Sequence, residues 1–255
     1  MRIHAVSDVH GASEALRSAA VGSDVFVCLG DLLLYLDYEE PGEGIYGQLF
    51  GAENAAAYIA LRTARDFAAA HQLSARLWDG LAVDRKVAVE QIVAAQYATL
   101  FAAMPEPALL TYGNVDLPQL WAQYLRPGHQ VLDGQTVEVG GVRFGFVGGG
   151  LHSPYHTPYE ISPEEYAIKV AALGAVDVLC AHLPPDIPEL RYDVRARRFE
   201  RGSAALLEVI RQTQPQLMLY GHVHQPLAAR VRVGQTECVN VGHFRGTKRA
   251  FVIDL

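Results

Sequence analysis

The sequence predicts an α/β fold, and three observations predict it. Short apolar runs rich in β-branched residues recur along the chain, helical stretches separate them, and several runs are apolar at every position, as strands buried on both faces must be. In chain order, strands are expected at Ile3 to Val6 and Val25 to Leu29, with a helix from Ala12 to Ala20 between them. Residues 37 to 105 then depart from this rhythm and carry no strand signal. An Ala-rich helix is expected from about Asn54 to Gln72, with Tyr58, Leu61 and Phe67 as its larger apolar members, and Trp78-Asp79-Gly80 reads as a turn. In the next helical pattern Val89, Ile92, Val93, Tyr97, Leu100, Phe101 and Met104 fall on one stripe. The segment reads as a helical insertion of about residues 37–105 in a single domain spanning 1–255, its stripe packed on the sheet or forming a homodimer contact. Beyond it, a strand is expected at Leu109 to Tyr112. Two runs between Val137 and Val147, split by Gly140 and Gly141, form an antiparallel hairpin. A helix from Pro163 to Ala172, a strand from Val176 to Ala181 and a helix from Ser203 to Gln212, capped by Ser203, come next. Strands at Leu217 to Tyr220, Cys238 to Val241 and Ala250 to Ile253 complete the chain.

Composition narrows the class. The 255 residues are half apolar and 19% charged, which excludes disordered, collagen-like and coiled-coil chains. No apolar run approaches the roughly 20 residues of a membrane span. Met1 to Val6 already reads as a strand entering a motif, not as a signal peptide. Cys28, Cys180 and Cys238 each sit alone in an apolar run, as buried hydrophobes do and as thiolate metal ligands do not. A cytoplasmic location is expected. Lys and Arg number 21 against 28 Asp and Glu, a net charge of −7 that speaks against tight nonspecific binding to a nucleic-acid polymer.

The informative pattern is where the polar residues fall. Five strand-like runs end directly in metal-binding residue types: Asp8-Val9-His10, Gly30-Asp31, Gly113-Asn114-Val115-Asp116, His182, and Gly221-His222-Val223-His224. Each piece alone is compatible with a turn or a satisfied histidine. Loops at the carboxyl ends of the strands of an α/β sheet converge on one crevice, however, so one site explains all five. Seven donors (Asp8, His10, Asp31, Asn114, His182, His222 and His224) exceed the four of a tetrahedral zinc site, which points to two ions. Two cations about 4 Å apart repel, so a carboxylate must lie between them, and Asp31 is the candidate bridge. Nitrogen and oxygen donors without sulfur suit manganese foremost, then iron, zinc or cobalt, and four imidazoles argue against calcium.

These blocks, in this order, closely resemble the calcineurin-like metallophosphoesterase superfamily, whose signature is D-x-H, G-D, G-N-x-[DE], a lone His, and G-H-x-H. The resemblance spans Asp8 to His224. It implies a four-layer αββα sandwich of two mixed β-sheets with helices outside. It implies one ion on Asp8, His10, Asp31 and His224, and a second on Asp31, Asn114, His182 and His222. It also implies hydrolysis of phosphodiesters or phosphomonoesters of a small substrate by a water-derived nucleophile between the ions, with Asp31, Asn114 and His182 as the catalytic set. Many members have a His after the Asn that assists the leaving group; here Val115 stands there, as in smaller bacterial phosphodiesterases, while Asp116, which would orient such a His, is retained. The stretch between Asp31 and Asn114 is longer than in minimal relatives. An inactive scaffold on the same frame and a nuclease are the alternatives.

Further polar residues stay open between a substrate contact and a solvated surface. His152 and His156 follow the Gly148-Gly149-Gly150 turn, and Arg191, Arg195, Arg197, Arg198 and Arg201 cluster between His182 and His222. Of these, His152, His156, Arg191 and Arg198 are the candidates for substrate binding. His4, His71 and His129 belong to no motif, and His243 follows a strand end from which it could reach the periphery of the site.

Overall fold

The computed structural model describes residues 1–255, and two mixed sheets dominate it. One has five strands in the order β15 (Phe251–Asp254), β1 (Arg2–Val6), β2 (Val25–Cys28), β3 (Ala108–Leu110) and β4 (His129–Val131). The other has six, in the order β13 (Arg230–Val233), β14 (Thr236–Asn240), β12 (Leu217–Tyr220), β9 (Val178–Ala181), β6 (Val142–Val147) and β5 (Gln135–Val139). The central strands of both are parallel; β15, β13 and β5 run antiparallel to their neighbours. Two small ribbons add β7 (Gly150–Leu151) beside β8 (Glu160–Ile161), and β10 (Tyr192–Asp193) beside β11 (Arg198–Phe199).

Strand alternation explains the layering. Ile3, Ala5, Val25 and Val27 of one sheet share a single core with Phe144, Phe146, Val178, Cys180, Leu217 and Leu219 of the other, so the sheets pack face to face. The intervening residues Leu179, Ala181, Met218 and Tyr220 point the opposite way. They meet Tyr166 and Val170 of α7 (Pro163–Ala172) and Leu206 and Ile210 of α9 (Ala204–Thr213). On the far side of the five-stranded sheet, α1 (Ser13–Leu16) buries Leu16, and His4 Nδ1 bonds Ala19 O at 2.8 Å. The result is the expected four-layer αββα sandwich of two mixed sheets. Short helices α6 (Pro118–Trp121), α8 (Pro188–Arg191) and α10 (Phe244–Thr247) sit in the loops. The helix expected over Ala12 to Ala20 is shorter because its second half is a run of turns.

The chain divides into two compact units, Met1–Leu32 with Leu100–Leu255, and Leu33–Thr99. The second unit is helical: α2 (Gly44–Phe50), α3 (Ala52–Thr63), α4 (Phe67–Asp79), and most of α5 (Arg85–Ala103), which crosses its boundary. Where the sequence suggests one helix from Asn54 to Gln72 there are two. Arg65 adopts φ +61°, and Asp66 caps a new start by accepting from Ala69 N at 3.0 Å. Trp78 and Asp79 lie in the last turn of α4, with Gly80 at its C-cap, not in a free turn. Tyr46 stacks on Tyr58 at 4.6 Å, and Phe50 meets Trp78 edge-on at 4.8 Å. Along α5 the stripe residues Val93, Tyr97, Leu100, Phe101 and Met104 are buried within the single chain. The three cysteines are buried and free, and no helix is long and apolar enough to cross a membrane.

Candidate metal centre

The strands set the ligand positions by register. Val6 lies opposite Cys28, Cys28 opposite Leu110, and Leu219 opposite Cys180, so neighbouring parallel strands end level. From those ends β1 delivers Asp8 and His10, β2 Asp31, β3 Asn114, β9 His182, and β12 His222 and His224. The first two loops stay laddered past the sheet: Asp8 N donates to Gly30 O at 3.1 Å, His10 N to Asp31 O at 2.9 Å and Gly11 N to Leu32 O at 2.9 Å. The two sheets are tied where they meet by His222 N, which donates to Asp8 Oδ2 at 3.0 Å.

Four of the seven donors lie in the left-handed backbone region: Asp8 at φ +56°, His10 at +40°, Asp31 at +54° and His222 at +67°. Each such non-glycine residue is held against a strain of about 1 kcal/mol or more, which concentrates at functional sites. The motif glycines have a related cause. A Cβ on Gly30 would strike the Gly113 backbone, one on Gly113 would strike the Asp31 carboxylate, and one on Gly221 would strike Ser7 and Asp8. Glycine precedes Asp31, Asn114 and His222 because the ligand loops touch there.

The donor atoms fall into two groups. Asp8 Oδ1 lies 3.3 Å from His224 Nε2 and 4.0 Å from His10 Nε2, and those two imidazole nitrogens are 3.4 Å apart. Asn114 Oδ1 lies 2.9 Å from both His182 Nε2 and His222 Nδ1. Asp31 Oδ2 stands between the groups, 3.9 Å from His10 Nε2 and 3.4 Å from His182 Nε2. Its Oδ1 accepts from Val115 N at 2.9 Å.

Hydrogen-bond logic shows what these atoms fit. A carbonyl only accepts, so His182 Nδ1, 2.9 Å from Leu29 O, carries the proton. In a neutral ring the Nε2 then presents a lone pair, yet it faces two oxygens. The Asn114 oxygen is fixed by a donor chain: Asn114 Nδ2 donates to Thr157 Oγ1 at 3.1 Å, and Thr157 Oγ1 donates to Glu160 Oε1 at 2.7 Å. Facing lone pairs need a positive charge between them, either a proton or a cation. In the metal-free protein it is a proton: burial opposes charge on His182, but Asp31 and Asp8 outweigh it and raise the imidazole to about 9. Burial and that neighbouring charge push His222 down to about 4. Burial would also raise the carboxyls of Asp8 and Asp31, but the surrounding histidines hold both below the usual range. Asp8 Oδ1 and His222 Nε2 are buried with no hydrogen-bond partner, each an omission of about 1–3 kcal/mol. Converging oxygen and imidazole donors fit divalent cations; Asp8, His10 and Asp31 offer ligand atoms within 4.8 Å of one another, and so do His10, His224 and His243.

Two further residues shape the centre through contacts that their sequence positions do not reveal. Asp116, wholly buried, orients no histidine. Its carboxylate accepts from Asp31 N at 2.9 Å, Leu32 N at 3.0 Å and Gly113 N at 2.8 Å, strapping the G-D loop to the G-N loop. Burial and the charge of Asp31 push this carboxyl up to about 7. His243 stands directly against the centre, its ring stacked on His224 at 4.0 Å and edge-on to His10 at 5.7 Å.

The seven expected donors therefore come together; of the four substrate candidates, His152 and His156 belong to the loop whose Thr157 Oγ1 accepts from Asn114 Nδ2 at 3.1 Å. His152 and His156 are exposed on the loop between β7 and β8. Arg191 is paired with Asp186 and donates Nε to Glu200 O at 2.9 Å. Arg198 is bound to the Glu200 carboxylate at 2.6 Å and to the Tyr155 hydroxyl.

A family model described as calcineurin-like phosphoesterase matches residues 1–226. No curated protein sequence matches the chain. Among solved structures, one is similar with a TM-score of 0.62 and 17% identity, covering 95% of this chain and 91% of that one. TT1561 of Thermus thermophilus is similar with a TM-score of 0.55 and 15% identity, covering 99% of this chain and 98% of its own. At such identities the likeness is one of fold.

Proposed function

The chain belongs to the calcineurin-like phosphoesterase family and is a metal-dependent phosphoester hydrolase; we propose that it uses two divalent ions, manganese foremost, to cleave phosphodiesters of small substrates in the cytosol. The observation that carries the two-ion reading is the shared carboxylate: Asp31 Oδ2 is within 3.9 Å of His10 Nε2 and 3.4 Å of His182 Nε2, so one side chain serves both donor groups. Asp8, His10, Asp31 and His224 would hold one ion, and Asp31, Asn114, His182 and His222 the other. Purified protein is expected to bind two divalent ions per chain and to lose turnover on chelation. One ion per chain at saturation would sink the two-ion reading.

Paired ions, when bound, offset charge on the phosphoryl oxygens and make water a competent nucleophile at neutral pH. The protein's residues do the rest. The negative charge of Asp31 between the donor groups would relieve cation repulsion, and the Val115 N–H at 2.9 Å fixes the orientation of its carboxylate. His182 and Asn114 are braced by Leu29 O and Thr157, so their donor atoms stay aimed without reorganisation. Val115 has no proton to give, so the leaving oxygen departs as its anion or takes a proton from water.

General acid assistance is worth about 10²–10⁴-fold, and its lack is felt most with poor leaving groups. Aryl phosphodiesters should therefore be turned over faster than alkyl monoesters by the manganese-loaded enzyme. A panel of p-nitrophenyl esters, cyclic nucleotides, dinucleotides and glycerophosphodiesters tests this, and the reverse preference would remove the inference from Val115. Val115→His should gain about tenfold or more on poor leaving groups alone. Salt-insensitive activity on small diesters, with none on DNA, separates this reading from a nuclease.

Thr157 offers a finer check. Thr157→Val removes the acceptor that holds the Asn114 amide and should weaken one of the two ions by about 10–100-fold. Competition with a chromogenic chelator reads this directly; wild-type affinity would detach the Thr157–Glu160 chain from the centre.

A further inference from the structure

We infer that His243 is a positioning residue of the centre, whose ring face fixes the plane of His224. The inference rests on the ligand role proposed for His224 above.

The four motif imidazoles are not held alike. His182 donates Nδ1–H to Leu29 O at 2.9 Å, behind the Nε2 that faces Asn114 and Asp31. His224 has no such brace. Its Nε2 faces Asp8 Oδ1 at 3.3 Å and His10 Nε2 at 3.4 Å, no hydrogen bond holds its Nδ1, and 41% of its side chain is exposed. A metal-ligating histidine ordinarily has its ring fixed by a hydrogen bond from the other nitrogen. Here the fixing contact is a ring face: His243 lies parallel to His224, with centroids 4.0 Å apart and planes 7° apart. Rotation of His224 about its Cβ–Cγ bond would drive its edge into that face. His10 is bracketed in the same cluster, edge-on to His224 at 5.3 Å and to His243 at 5.7 Å.

A brace must itself be rigid, and the segment bearing His243 is fastened to both ligand loops it serves. Phe244 N donates to Ser7 O at 3.0 Å, Arg245 N to Asp8 O at 3.1 Å, and Arg245 Nη1 to His10 O at 2.8 Å, tying it to the D-x-H loop. Asn240 Oδ1 accepts from Gly242 N at 2.8 Å while its Nδ2 donates to Val223 O at 2.9 Å, tying it to the G-H-x-H loop. Phe244 is buried beneath it. Gly246 leaves room for the imidazole, since a Cβ there would stand 3.1 Å from His243 Nδ1. The parallel stack also separates this role from ligation. His10, His224 and His243 do offer ring nitrogens within 4.8 Å of one another, but nitrogen lone pairs lie in the ring plane, so the stacked His224 and His243 rings, 4.0 Å apart and 7° from parallel, do not both aim at one ion as they are held.

The test uses full-length protein, Co²⁺ as the probe, and two variants. His243→Phe keeps an aromatic face and removes both nitrogens; His243→Ala removes the face. Co²⁺ affinity is read by chelator competition and the ligand field by visible absorption, with melting of the metal-free variants as a folding control. His243→Ala is expected to weaken one of the two ions by about 10–100-fold and to broaden or shift its absorption. His243→Phe should stay within about threefold of wild type, with its spectrum retained, because the face survives. The inference is overturned if both variants bind as wild type does, or if His243→Phe is as impaired as His243→Ala, which would assign the effect to a nitrogen. Should wild-type protein bind no Co²⁺ at all, the metal reading itself fails and the inference falls with it, an outcome distinct from unchanged binding in the two variants.

Discussion

Asp31→Asn should abolish most turnover, lowering kcat/KM by about 10³-fold or more, equivalent to about 4 kcal/mol of transition-state stabilisation. The substitution is nearly isosteric, and the amide oxygen can still accept from Val115 N as Asp31 Oδ1 does at 2.9 Å. The change falls on the other atom. Asp31 Oδ2, the one oxygen near both His10 and His182, becomes an amide nitrogen whose hydrogens point where cations are expected. Attraction to both ions is lost and their mutual repulsion is unscreened, so both affinities should fall together. Activity on an aryl phosphodiester and metal stoichiometry are measured on the same sample. Near-normal turnover with two ions bound would show that Asp31 is not the shared ligand. Loss of one ion alone would put it in a single site.

Asp116→Ala is expected to damage the protein although it replaces no proposed ligand. Three buried backbone donors, Asp31 N, Leu32 N and Gly113 N, lose their acceptor at once. At about 1–3 kcal/mol each, partly relieved by water entering the space, the loss should total about 3–5 kcal/mol. For a chain of this size that lowers the melting temperature by about 10 °C. Because the strap sets where Asp31 sits relative to Asn114, kcat/KM should also fall, by about 10²-fold. Asp116→Asn should be milder. Its oxygen can keep the two N–H groups now bound by Oδ2, while its nitrogen opposes only Leu32 N. A melting temperature of Asp116→Ala within about 2 °C of wild type would mean the three bonds are replaced without loss.

The outline of this molecule is written locally. Apolar runs with period two or with no polar gaps mark most strands of both sheets, and Ser203 and the Gly140-Gly141 pair mark a helix start and a hairpin, because such signals depend on residues within a few positions. The donor set is legible for a different reason. Ligand chemistry admits few residue types, and the parallel strands of an α/β fold end on one side, so Asp, His and Asn at five strand ends had to face a common crevice. The α3–α4 break leaves little trace in the sequence because Ala64 and Arg65 are ordinary helix formers, and only Asp66 hints at a new cap.

What the sequence by itself determined was the fold class, the family resemblance and the seven side chains that meet. What only the tertiary structure decided was how those side chains are held: Asp116 on backbone groups 85 and 84 positions away, Thr157 and Glu160 behind Asn114, and His243 against the face of His224. The physical reason is that a supporting contact asks little of residue type. Any peptide N–H can bond a carboxylate and any ring can present a face, so no spacing records the partner, and only the packed chain selects it.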